Sequence, residues 1–164
     1  MPTVPKKMLS IVAASVVLAA LVPATTASSA TCYSYSDKER GFARKINRAR
    51  SGHDLRKLSL DPELSRVAIR QTRTMVNKNR LYHPPNLGRR VTRWISLGEN
   101  AGQGDTVASL HKAFMSSSPH KANILNRGFR FVGVGAKRAR GHLWVTVVFE
   151  SRRNPGTTLS MPKC

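Results

Sequence analysis

The chain has 164 residues, of which 28 are Lys or Arg and only 8 are Asp or Glu, for a formal net charge of +20. Charge of that density opposes compaction and favours anionic neighbours: cell-wall polymers, lipid headgroups, nucleic acid or a polyanionic host surface. The basic residues are spread along the sequence in local pairs, Arg44-Lys45, Arg89-Arg90, Lys137-Arg138 and Arg152-Arg153, which excludes a discrete basic tail of the kind that forms a nucleic-acid arm.

Lys6 and Lys7 precede an apolar run over 8–22, which Pro23 ends and a small polar stretch over 24–30 follows. That order is the build of a secretory signal peptide. Ser28 and Ala30 put small side chains at the −3 and −1 positions of a cut after Ala30, with a second cut available after Ala27. The apolar run falls short of the roughly twenty residues of a spanning helix, so the mature protein, 31–164, is expected to have no transmembrane segment. Losing Lys6 and Lys7 takes two charges away and leaves +18. A chain of that length suits one domain, read here as a monomer, and is too short for two. Cys32 and Cys164 stand at its ends. Export puts them where disulfides persist, and domain termini often lie close together, so the two are expected to pair.

Over 37–50, Phe42, Ile46 and Ala49 recur at helical spacing among basic residues, and Ser51-Gly52 breaks the pattern. A connection through Leu55, Leu58 and Leu60 leads to Asp61-Pro62-Glu63, a strong helix start. The second helix runs through Leu64, Val67, Ala68, Gln71 and Met75 to about Asn79. Residues 80–104 are rich in Pro, Gly and Arg, with one short strand expected over 91–97. Asp105 or Thr106 can cap a third helix that buries Val107, Leu110, Ala113 and Phe114, and Ser118-Pro119 starts a short helical turn, with Ser118 as its cap. Residues 131–135 and 142–149 are β-rich runs read as an antiparallel hairpin, and the tail from 151 reads as irregular. Helices followed by late strands imply an α+β domain in which helices cover a small antiparallel sheet.

Most acidic residues lie where capping and surface pairing explain them. Glu99, in Leu97-Gly98-Glu99-Asn100-Ala101-Gly102, and Glu150, at a strand end, are the late-chain carboxylates. Small residues around Glu99 let a backbone carry its carboxylate into a cleft, though a loop ion pair explains it equally. Of His53, His83, His111, His120 and His142, His83 is stiffened by Pro84-Pro85 and His120 follows Pro119. Their spacing matches no HExxH-type zinc pattern. Ser116-Ser117-Ser118 lies near His120, but there is no Gly-x-Ser-x-Gly elbow.

The succession Ile46-Asn47-Arg48-Ala49-Arg50, Leu60-Asp61-Pro62-Glu63-Leu64, His83, Gly98-Glu99-Asn100-Ala101, Ser118-Pro119-His120-Lys121-Ala122-Asn123-Ile124-Leu125, Val132-Gly133-Val134-Gly135 and Trp144-Val145-Thr146 resembles the bacterial branch of the CAP superfamily. Its members are the SCP-like domains of cysteine-rich secretory, antigen 5 and pathogenesis-related proteins, and the resemblance covers about 38–149. It implies an α-β-α sandwich with a central antiparallel sheet between helical layers and an open cleft holding two histidines and two glutamates. In some members the cleft binds a divalent metal such as zinc. By motif, His83, Glu99 and His120 match the first histidine, first glutamate and second histidine. The second glutamate has no counterpart, because no acidic residue lies between Asp105 and Glu150. That loss inside a strongly cationic domain makes any metal held by His83 and His120 a weak one, and no catalytic residue is assigned. The resemblance implies a secreted bacterial protein, extracellular and non-enzymatic, whose His83/Glu99/His120 cleft takes a small molecule, lipid or peptide while its basic surface meets anionic cell-wall or host polymers. The alternatives are a metal-assisted or His/Glu hydrolase of peptide or cell-wall substrates, and a cationic protein that binds polyanions by charge alone.

Overall fold

The computed structural model describes residues 33–151 and 155–162; the leader, Cys32 and Cys164 lie outside the described residues. The first helix, α1 (Asp37–Ser51), begins in a capping box. The Ser36 side chain accepts from the Glu39 N–H, and the Glu39 carboxylate accepts from the Ser36 N–H. After β1 (Ser59–Leu60) comes α2 (Pro62–Lys78). Asp61 caps α2 through the Leu64 N–H at 2.8 Å, and Asn79 ends it in the left-handed region at φ 47°. A helical turn, α3 (Leu87–Arg90), leads into β2 (Val91–Thr92). Then follow β3 (Leu97–Gly104), α4 (Val107–Ser116), α5 (Ser118–Ile124), β4 (Phe131–Ala139), β5 (His142–Glu150) and β6 (Gly156–Thr157).

The main sheet has the order β1-β4-β5-β3. Its body is antiparallel, β4 and β5 forming the expected hairpin and β3 lying antiparallel to β5, while the two residues of β1 add a parallel edge. Alternation along β5 divides the core. Leu143, Val145, Val147 and Phe149 pack with Phe42, Ile46, Leu110, Phe114 and Ile124 of α1, α4 and α5. Trp144 and Val148 turn to the other face, against Met75 and Leu64 of α2. The domain is thus the expected sandwich, with α2 on one face and α1, α4 and α5 on the other.

Four local expectations change, and one open alternative, the cap of α4, is decided. The strand expected over 91–97 is two strands: Arg93, at φ 59°, ends β2, and the longer strand starts at Leu97. The tail contributes β6, which pairs with β2. Thr106 rather than Asp105 caps α4, because its hydroxyl reaches the Ser109 N–H and Ser109 reaches back. Ser117, not Ser118, is the residue before α5, and Ser118 is its first helical residue. Ala113 is exposed, since the buried row of α4 runs through Leu110 and Phe114, with His111 edge-on to Phe42 at 5.9 Å.

Candidate functional site

His83 lies beyond the end of α2, on a loop held down by its neighbour Tyr82. Gln71, buried in α2, donates its side-chain amide to the Tyr82 carbonyl at 3.0 Å, and Lys78 and Arg80 each lie 5.3 Å from the Tyr82 ring centre. The His83 ring then reaches the edge strand β3, where its Nδ1 is 2.9 Å from Glu99 Oε1. The pair is asymmetric: the His83 side chain is 65 % exposed and the Glu99 side chain 5 %. Burial pushes the Glu99 carboxyl above its ordinary value, against the opposing pull of the His83 hydrogen bond and charge and of the Arg90 charge. Its second oxygen, Oε2, is buried without a hydrogen-bond partner. With Glu99 ionised and the imidazole neutral, His83 Nδ1–H donates to Glu99 and Nε2 is left as an acceptor.

His120 comes from the opposite helical layer. Its ring stacks on Phe114, with centroids 4.7 Å apart and planes at 22°, and its Nδ1 is 2.8 Å from the Ser117 hydroxyl. The Ser117 side chain makes no cap bond to α5 and serves the imidazole instead. Burial first, and then the neighbouring His83 charge, lower the His120 pKa. His83 and His120 are therefore electrostatic neighbours, while only His83 touches Glu99.

Two asparagines join the halves. Asn100, wholly buried next to Glu99, donates to the His120 carbonyl at 2.9 Å. Asn123 of α5 donates to the Asn100 side-chain oxygen at 2.8 Å and to the Glu99 carbonyl at 3.1 Å. The Gly-Glu-Asn and Pro-His-x-x-Asn segments are thus two sides of one hydrogen-bonded brace, a role that residue type and spacing alone do not disclose. Gly98 lets α5 close on the strand, since a Cβ there would be 2.8 Å from Asn123 Oδ1 and 2.9 Å from the Phe129 ring. Glu150 lies apart from this brace as the last residue of β5, where it accepts from the Ile95 N–H at 3.0 Å.

Among the described residues no three His, Cys, Asp or Glu side chains are grouped to hold a metal ion. One Glu99 oxygen is taken by His83. The Ser117–His120 contact uses Nδ1 and lacks a carboxylate orienting the other ring nitrogen, the arrangement that activates a serine. What remains is an exposed imidazole backed by a buried carboxylate, beside a second imidazole on an aromatic floor. Leu81, on the loop between α2 and α3, and Trp94 and Ile95, between β2 and β3, are exposed.

Comparison with known proteins agrees with this architecture. The sequence model described as "CAP: Cysteine-rich secretory protein family" matches residues 43–149. The uncharacterized protein YkwD of Bacillus subtilis is 30% identical over 139 residues, which cover 77% of this chain and 54% of YkwD, so the chain spans about half the length of that curated relative. A crystal structure of an extracellular SCP-domain protein from Bacillus anthracis superposes with a TM-score of 0.62 at 24% identity, over 70% of this chain and 40% of that one. An outer surface protein of Borrelia burgdorferi gives 0.65 at 16% identity, over 72% and 97%. Among the described residues no helix is long and apolar enough to cross a membrane.

Proposed function

This chain belongs to the cysteine-rich secretory protein (CAP) family, and from that premise we propose that it is an exported, non-enzymatic binding domain. Its His83, Glu99 and His120 form the polar floor of a cleft for a small molecule, lipid or peptide, and its basic surface holds it on anionic envelope or host polymers. The observation that carries the reading is the 2.9 Å contact between an exposed His83 and a buried Glu99 whose other oxygen is unpartnered. A buried carboxylate is costly unless it is paired. Here it is paired only on one side and aimed at an imidazole that solvent and ligand can reach, which suits recognition of a donor-bearing group. Relatives described as extracellular or outer surface proteins support export.

A disulfide between Cys32 and Cys164 is part of the same reading. Tyr33, adjacent to the first cysteine, and Pro162, two residues before the second, line one hollow. Arg66 of α2 also donates to the Ser160 carbonyl at 2.9 Å. Closing so long a loop stabilises the fold by roughly 5 kcal/mol in the entropic account. Non-reducing peptide mapping is expected to recover the two cysteines in one linked fragment.

The test of the cleft is to follow the ring signals of His83 and His120 by NMR while peptide, lipid and peptidoglycan-fragment libraries are added, and to assay the same mixtures for products. Binding that shifts both rings, is lost in Glu99→Gln and leaves the library intact supports the proposal. Turnover that disappears in His83→Ala replaces it with a hydrolase, and zinc binding that vanishes in Glu99→Gln replaces it with a metal site.

A further inference from the structure

The solvent face of α2 carries a hollow of about 490 Å³ lined by Arg66, Arg70, Arg73, Thr74, Asn77 and Lys78. A second hollow, of about 380 Å³, shares Arg66 and Arg73 and continues past Tyr33 and Ser36. The spacing of 66, 70, 73 and 77 is that of one helical face, opposite the buried row of Leu64, Val67, Ala68, Gln71 and Met75. At 1.5 Å per residue the row from Arg66 to Lys78 is roughly 18 Å long. Like charges at this spacing weaken a helix by a few tenths of a kcal/mol per pair, so the row does not serve α2 itself.

Among the described residues no carboxylate pairs with it. Among the described residues the ion pairs are Arg40–Asp37, His83–Glu99, Arg93–Glu63 and His142–Asp105, and none uses these four cations. The one carboxylate lining the second hollow, Glu39, is buried and already accepts from Ser36 and Tyr33. Three guanidinium groups, each a planar fork of donors, match phosphate oxygens better than they match a diffuse anionic field. The larger hollow is lined by no aromatic ring and the second by Tyr33 alone, whose hydroxyl donates to Glu39, so the groove lacks the succession of stacking platforms with which proteins hold single-stranded nucleic acid.

From these observations we infer that the α2 face is a binding groove for the phosphodiester backbone of a linear, base-free polyol-phosphate polymer. This deepens the basic-surface half of the proposed function, and is independent of the cleft. The probe is synthetic poly(glycerol phosphate), titrated into the full secreted chain over a salt series. The triple variant Arg66→Gln/Arg70→Gln/Arg73→Gln is compared with Arg44→Gln/Lys45→Gln/Arg48→Gln, which removes the same charge from α1 on the opposite layer. All six side chains are partly or fully exposed, and circular dichroism checks that both variants fold. The α2 variant is expected to bind about tenfold more weakly or worse and to flatten the slope of log K against log salt by about 2, with the α1 variant within about twofold of the parent. Equal losses in the two variants overturn the groove and leave a diffuse basic surface standing. No binding by the parent chain removes the basic-surface reading as well. Tighter binding of heparin or oligo(dT) than of the polyol phosphate, dependent on the same three residues, overturns the choice of partner. Glu99→Gln is expected to change none of these titrations.

Discussion

On the face of the sheet turned to α2, strand β4 presents Gly133 and Gly135, whereas on the opposite face the same strand presents Val132 and Val134. The α2 side is a contact of backbone on backbone. A Cβ at Gly133 would be 2.2 Å from the Leu64 carbonyl carbon, and one at Gly135 would be 2.2 Å from the Ile69 nitrogen. Polar ties fill the narrow gap: Ser65 Oγ accepts from the Val134 N–H at 3.1 Å, and Thr72 Oγ donates to the Gly135 carbonyl at 3.0 Å or to its neighbours. The side facing α1, α4 and α5 is instead an interdigitated apolar layer of Phe, Ile, Leu and Val. Helix α2 is therefore keyed to the sheet by shape. The layer bearing His120 is keyed to the site by two asparagine amides.

The comparison breaks most sharply at Gly135. Gly135→Val drives side-chain atoms into the α2 backbone, where no flexible group can yield, and is expected to abolish folding at ordinary temperatures by more than about 3 kcal/mol. Val134→Ala, one residue away on the other face, only leaves a void and is expected to cost about 2 kcal/mol. Equal losses in urea unfolding would contradict the difference between the two faces.

Arg50 offers the next largest effect. It is wholly buried at the end of α1 and donates from Nε to the Arg56 carbonyl and from one Nη to the Ile124 and Asn126 carbonyls, all at 2.8 Å. Arg50→Met keeps the volume but leaves three acceptors without a donor, for an expected loss of about 3 kcal/mol. The sequence shows only helical periodicity at this position, with Arg50 indistinguishable from its exposed basic neighbours.

The elements legible in the sequence were those with strong local chemistry. The capping of α2 by Asp61, the 3.6-residue spacing of Phe42 and Ile46, and the β-branched run of β5 each declare themselves. Strand β3 did not, because its Gly-Glu-Asn-Ala-Gly-Gln-Gly carries no β-branched or aromatic residue. It becomes a strand because β5 templates it and because its glycines let Phe114 and Phe129 close on it. The trio His83, Glu99 and His120 came from the order of motifs rather than from any spacing. What order could not show is that His83 touches Glu99 while His120 is linked to it through Asn100 and Asn123.

That linkage is open to a smaller test. Asn123→Ala removes the donor to Glu99 and Asn100, and is expected to cost about 1–3 kcal/mol. It is also expected to shift the His120 ring signals while leaving the His83–Glu99 contact in place. A matching loss of the His83 signal position would mean that the two imidazoles share one support.

The gentlest probe of the two faces is pH, because they respond with opposite sign. Burial pushes the Asp61 carboxyl at the start of α2 up to about 6, against about 3.9 in the unfolded chain. Between about pH 4 and 6 the folded protein holds the Asp61 proton more tightly than the unfolded chain does, so this group's contribution to stability falls as pH rises through that window. His120 behaves in reverse. Its pKa is lowered in the fold, so the unfolded chain takes up the proton first as pH drops below about 6.5, and stability rises with pH across the interval beneath that value. Asp61→Asn keeps an N-cap and is expected to remove the falling component, worth about 1 kcal/mol after allowance for partial exposure. His120→Gln is expected to reduce the rising one, to which His111, its pKa also lowered by burial, contributes the remainder. Chemical denaturation of both variants at pH 4, 5, 6 and 7 separates the two, and parallel profiles would mean that the layers are not electrostatically distinct.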